Sequence, residues 1–91
     1  MMRITVRARG RVQNAGYRAF VNGCAQEIGV TGFVRNEPDD SILIVAEGQG
    51  LALSLFKKMI HAPDDPSIRV DTLEVTASGA SGEFSGFAIR E

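Results

Sequence analysis

Apolar and polar positions alternate from Arg3 to Arg9. Ile4, Val6 and Ala8 point one way, and Arg3, Thr5, Arg7 and Arg9 the other. That period of two predicts a half-buried strand, which Gly10 ends. From Gly16 to Ile28 the period changes: Tyr17, Val21, Cys24, Ala25 and Ile28 share one face of a helix. Gly23 lies inside it at a cost of about 1 kcal/mol relative to Ala, and Gly29 is placed to end it as a left-handed cap. Val30 to Asn36 reads as a second strand, Glu37-Pro38-Asp39-Asp40-Ser41 as a turn, and Ile42 to Glu47 as a third strand. The third strand is apolar on both parities, which predicts a central position with both faces covered. After Gly48-Gln49-Gly50, the residues Ala52, Leu55, Phe56 and Met59 predict one face of a second helix. The two-proline stretch Ala62-Pro63-Asp64-Asp65-Pro66 reads as a loop. Ile68 to Thr76 predicts a fourth strand, whose apolar phase slips between Val70 and Leu73 and so suggests a bulge around Asp71-Thr72. Ala77 to Ser85 reads as a small-residue loop, and Phe87-Ala88-Ile89 as a short edge strand.

The order β-α-β-β-α-β plus a short C-terminal strand predicts an α+β fold of the split βαβ, ferredoxin-like kind. The expected arrangement is an antiparallel sheet with two helices on one face. A chain of 91 residues fits one domain, 1–91. The fold hosts many functions and does not choose among them.

Composition narrows the choice. With 44% hydrophobic and 23% charged residues the chain has the balance of a globular protein. A net charge of -1 argues against a broad nucleic-acid surface, although Arg3, Arg7, Arg9, Arg11 and Arg18 crowd the first fifth of the sequence. One cysteine, Cys24, makes no internal disulfide, and with the single histidine His61 it makes a poor zinc site. No apolar run reaches the ~20 residues needed to span a bilayer, and arginines interrupt any N-terminal leader. The cytoplasm is the expected compartment, with no metal, cofactor, membrane or nucleic-acid partner.

The chemistry concentrates in Gly10-Arg11-Val12-Gln13-Asn14-Ala15-Gly16-Tyr17-Arg18, which joins the first strand to the first helix. The first N–H groups of a helix lack intrahelical partners, and the helix dipole adds positive potential there. Asn14 and Gly16 are residue types that take positive φ, which lets a loop curl its own N–H groups around an anion. Arg18, just inside the helix, offers a guanidinium that can hold phosphate through two parallel hydrogen bonds. A tight turn beside a surface arginine would have the same spacing. The stretch is neither a nucleotide P-loop, since no Lys-Ser/Thr pair follows, nor a G-x-G-x-x-G dinucleotide fingerprint.

This stretch resembles the acylphosphatase signature G-x-V-Q-G-V-x-[FY]-R, and Gly32-Phe33-Val34-Arg35-Asn36 resembles that family's G-[FYW]-V-x-N. Ile28-Gly29-Val30, Glu47-Gly48 and the ending Gly82 to Arg90 are similar to family habits, so the likeness covers nearly the whole chain. It implies hydrolysis of the carboxyl-phosphate bond of acyl phosphates to a carboxylate and inorganic phosphate, by direct in-line attack of water on phosphorus. It also implies that Arg18 binds the phosphoryl group, that Asn36 positions the water, and that the backbone N–H groups of Gln13, Asn14, Ala15, Gly16, Tyr17 and Arg18 form the cradle. Inorganic phosphate would be product and inhibitor, and a monomer is the family-like state. Asn14 stands where the family usually has Gly, Ala15 where it has Val, and Asp40 where a Gly is common.

The physics agrees with that implication. Phosphoryl transfer needs positioning and charge stabilisation more than covalent chemistry, and a carboxylate leaves without a strong acid. Without the motif, Asn36 would read as a turn residue before Glu37-Pro38. Cys24 and Tyr17 are expected in the core, His61 at the surface end of the second helix, and Asp64-Asp65 in solvent. The alternative reading is a non-catalytic phosphate- or carbamoyl-phosphate-binding module of the same fold. An RNA-binding sheet would need aromatics on strands one and three, which carry Arg, Thr, Ile, Leu and Val instead, and a metallochaperone would need a C-x-x-C motif.

Overall fold

The computed structural model describes residues 1–61 and 64–91. Ala62 and Pro63, the first part of the expected two-proline loop, lie outside the described residues. Strand β1 (Met2–Arg11) leads through a short loop to helix α1 (Tyr17–Ile28). Strands β2 (Thr31–Asn36) and β3 (Ile42–Gly48) follow as a hairpin, then helix α2 (Gly50–His61), strand β4 (Arg69–Gly79) and strand β5 (Phe87–Arg90). The sheet order is β4-β1-β3-β2-β5, which puts β3 in the middle, as its two-sided apolar pattern predicts.

The period-two residues form one layer of the core. Ile4, Val6, Ala8, Val34, Ile42, Ile44 and Ala46 face the helices and pack with Tyr17, Val21, Cys24, Ala25, Leu53, Phe56 and Ile60. Both helices therefore cover the same face of the sheet. Helix α1 follows its sequence pattern, and Gly29 caps it at φ 88° with its N–H on the Ala25 carbonyl. Helix α2 is turned from the expected face. Leu53, Phe56 and Ile60 are buried, whereas Leu55 is 51% exposed. Apolar residues surround this helix, so periodicity alone could not fix its phase; the space beside α1 did.

The bulge in β4 lies where the phase slip predicts. Arg9 pairs with Thr72 and Gly10 with Val70, which leaves Asp71 as the extra residue. Gly10 has φ +135°, and a Cβ on it would lie 2.2 Å from the Arg69 carbonyl oxygen, so only glycine fits. Strand β4 continues to Gly79, past the Thr76 expected from sequence.

One expectation needs correction. The first four strands pair antiparallel, but β5 runs parallel to β2, with Val34 opposite Ile89 and Arg35 opposite Arg90. The reason lies in the connection from β4. Its end (Gly79 opposite Met2) and the start of β2 (Thr31 opposite Glu47) lie at the same end of the sheet, because Met2 is opposite Gly48. A chain that enters its edge position from there must run in β2's direction.

The connection is tied down by Glu47, which is 1% exposed. Its carboxylate accepts the N–H groups of Ser81 (2.8 Å) and Gly82 (3.0 Å), the Arg3 guanidinium (2.7 Å) and the Ser81 hydroxyl (3.0 Å). The Ser81 N–H, then Gly82, Arg3 and the Ser81 hydroxyl, hold its pKa down at about 2 against the opposing effect of burial. Phe84 closes over the same outer face, edge-on to Phe33 at 5.9 Å. Two more first-strand arginines find acids as well: Arg7 meets Glu37 and Asp39, and Arg9 meets Asp39 and Glu74.

Candidate active site

The strand registers bring the end of β1, the end of β2, the start of β3, the start of β4 and the end of β5 to one end of the sheet, and the start of α1 follows the end of β1 there. The loop from Val12 to Gly16 crosses that end. Two of its residues take left-handed backbone, Asn14 with φ 59° and Gly16 with φ 86°. Gly16 is the helix N-cap, with no side-chain cap bond, and the first turn carries no acidic residue. Among the described residues, the terminal N–H groups of α1 therefore have no capping side chain, and no carboxylate of their own first turn competes for them.

Beside this N-terminus lies a pocket of about 180 Å³, lined by Val12, Asn14, Gly16, Tyr17, Arg18, Ala19 and Ile89. Arg18 is half-buried and in no salt bridge among the described residues. One of its Nη atoms makes a long contact, 3.5 Å, with the Arg90 carbonyl. Arg90 is opposite Arg35, one residue before Asn36, so Arg18 reaches toward the end of β2. The Asn36 Oδ1 is buried there and has no hydrogen-bond partner among the described residues. A buried acceptor without a partner costs about 1–3 kcal/mol.

The expected cradle residues divide into two groups. Asn14, Gly16, Tyr17 and Arg18 line the pocket, while Gln13 and Ala15 do not; Asn36, expected to position the water rather than to form the cradle, is not among the lining residues either. Ala15 packs against the core. The Gln13 side chain reaches the β2–β3 turn, where its Nε2 donates to the carbonyls of Glu37 (2.8 Å) and Ser41 (2.9 Å). Tyr17 is buried as expected, and its hydroxyl donates to the Ile60 carbonyl at 2.7 Å, anchoring the start of α1 to the end of α2. Burial raises its pKa above the ordinary tyrosine value. Cys24 is buried too, and desolvation, followed by the nearby Glu27, pushes its thiol up. His61 and the two acids Asp64 and Asp65 are exposed. Val12, Ala19 and Ile89 are pocket residues that sequence reasoning missed. Val12 and Ala19 flank the motif closely enough to have been included. Ile89 arrives only through the parallel strand, for which the sequence carries no signal.

The sequence model of the family described as acylphosphatase matches residues 4–89. The chain belongs to the acylphosphatase family. It is 40% identical over 89 residues to an acylphosphatase of Salinibacter ruber, covering 97% of this chain and 92% of that one. The crystal structure of acylphosphatase from Bacillus subtilis superposes with a TM-score of 0.90 at 30% identity, over 100% of both chains. The chain is also 37% identical to carbamoyltransferase HypF2 of Cupriavidus necator, covering 99% of this chain and 11% of that longer one. Among the described residues, two non-glycine residues have left-handed backbone, Asn14 and Asp40 (φ 70°); these are the positions noted above as commonly glycine in the acylphosphatase pattern. The substitutions thus leave the backbone in the conformation that glycine would take there. Asn and Asp are the L-residues that reach it at least cost.

Proposed function

We propose that this acylphosphatase hydrolyses acyl phosphates by in-line attack of water on phosphorus, with Arg18 and Asn36 as the working pair. The observation that carries the reading is the unpartnered, buried Asn36 Oδ1 at the sheet end where Arg18 and the uncapped start of α1 meet. An amide oxygen there can accept a hydrogen bond from water. The guanidinium of Arg18 and the N–H groups from Gln13 to Arg18 take the phosphoryl oxygens and spread their charge, which is most of what this transition state requires. The water oxygen bonds to phosphorus as the carboxylate oxygen departs with its electron pair. The water's proton passes to a phosphoryl oxygen, and the products are a carboxylate and inorganic phosphate. The phosphate, left on the same donors, is a competitive inhibitor. The reading includes a monomeric protein, testable by light scattering, that works in the cytoplasm as one domain.

The test is turnover of a simple aryl-acyl phosphate in ¹⁸O-water, with a chelator present. Label is expected in phosphate and not in the carboxylate; label in the carboxylate would refute attack on phosphorus. Arg18→Ala is expected to lose turnover and phosphate binding together. Asn36→Ala is expected to lose turnover and keep phosphate binding, and loss of binding there would refute the water-positioning role. The chain matches 11% of the longer carbamoyltransferase HypF2, so this kind of domain also occurs within a larger enzyme, which favours as a second reading a phosphate-binding module without turnover of its own. Phosphate binding with no turnover above the spontaneous rate would select it.

A further inference from the structure

The loop at the pocket and the turn after Asn36 are separate segments, and the Gln13 side chain joins them. Its Nε2 carries two hydrogens, and each meets a carbonyl: Glu37 at 2.8 Å and Ser41 at 2.9 Å. Both acceptors belong to the rung that closes the β2–β3 hairpin, where Glu37 N–H donates to the Ser41 carbonyl at 2.9 Å. Asn36 is the next residue back along β2. The turn has other anchors of its own. Asp40 N–H donates to the Glu37 carbonyl at 3.2 Å, the Ser41 N–H and hydroxyl both donate to Asp39 Oδ1, and Arg7 donates to the Ser41 hydroxyl at 2.9 Å. The hairpin therefore closes without Gln13. Among the described residues, no other hydrogen bond links the loop to this turn, and the Asn36 Oδ1 has no partner of its own to hold it.

We propose that Gln13 is a positioning residue, whose side chain fixes the distance between the phosphate cradle and Asn36. The side chain touches no substrate, whereas the Gln13 backbone N–H belongs to the cradle; the side chain sets where the water-holding amide stands relative to the phosphoryl group. The inference rests on the assignment of Arg18 and Asn36 above. A misplacement of about 1 Å costs on the order of 100-fold in rate. Ground-state binding of phosphate, which uses the loop and Arg18 alone, does not depend on the link.

The test compares wild type, Gln13→Leu, Asn36→Ala and the double variant, by kcat on an aryl-acyl phosphate and by the inhibition constant of inorganic phosphate. Gln13→Leu is expected to lower kcat by roughly 10- to 100-fold and to change the phosphate constant by less than about 3-fold. The double variant should lose no more than about 3-fold beyond Asn36→Ala, because Gln13 acts through Asn36. A purely structural strut would instead weaken phosphate binding in step with kcat, or give losses that multiply in the double variant; either result overturns the proposal. Wild-type turnover in Asn36→Ala would overturn both assignments. Wild-type turnover in Gln13→Leu beside an inactive Asn36→Ala would overturn the Gln13 link alone. Gln13→Asn, one methylene shorter and unable to reach both carbonyls, serves the same comparison if Gln13→Leu does not fold.

Discussion

Substitution of Asn14 tests how the loop is held, because its backbone sits at φ 59° and its side chain is exposed. Little packing is lost on substitution, so the backbone dominates the outcome. An alanine in the left-handed region costs about 1–2 kcal/mol. Asparagine carries less of that cost, because its short polar side chain can bond locally, and the difference for Asn14→Ala is about 1 kcal/mol. In a domain of this length that lowers Tm by roughly 4–8 °C. If the loop escapes the strain by relaxing, the population of the competent cradle falls, and 1 kcal/mol corresponds to at most about 5-fold in kcat/KM. Glycine removes the strain but gives the unfolded chain about 0.4–1 kcal/mol more freedom. Asn14→Gly should therefore lie within about 0.5 kcal/mol of wild type and keep its kcat/KM. Thermal denaturation and kinetics on the three proteins check the order Gly ≈ Asn > Ala. An alanine variant equal to wild type in both Tm and kcat/KM would refute the claim that this position's backbone shapes the site.

Two further outcomes concern the frame around the site. Tyr17→Phe removes the donor that satisfies the Ile60 carbonyl, one of the last carbonyls of α2 that the helix itself cannot pair. A loss of about 1–3 kcal/mol is expected, read as a lower denaturation midpoint at unchanged m-value; a midpoint equal to wild type would show that the bond contributes nothing. The Glu47 pKa, about 2 when folded against 4.5 as the reference, fixes the sign of its pH dependence. Its contribution is full above pH 4.5 and is lost as pH falls toward 2. Glu47→Gln should be less stable than wild type at neutral pH and should show a flatter stability profile across that acid window. Parallel profiles for the two proteins would remove Glu47 from the acid transition.

Much of the candidate site is legible in the sequence, because the chemistry proposed for it depends on local backbone. Asn14, Gly16 and Arg18 sit within one loop and one helical turn, and residue type already says which of them can take positive φ. Asn36 was legible as a residue and a spacing. Its unpartnered oxygen was not, since an absent partner is a property of everything packed around it. The Gln13 side chain was hidden for a related reason. Its two acceptors, the carbonyls of Glu37 and Ser41, are backbone atoms 24 and 28 residues away, and any residue type supplies a carbonyl.

The sequence by itself determined the elements, their order, a bulge around Asp71-Thr72 and the loop that could hold an anion. Each of these is set by alternation, helical period or the φ preference of single residues, which act over a few positions. The tertiary structure alone decided which face α2 buries, since Leu53, Phe56 and Ile60 compete with an almost equally apolar neighbouring face. It alone decided the direction of β5, since that depends on which end of the sheet the preceding connection leaves from. That choice brings Ile89 to the pocket and the Arg90 carbonyl to Arg18. Both decisions depend on where the other elements lie: α2 on the space beside α1, and β5 on the end at which β4 leaves the sheet.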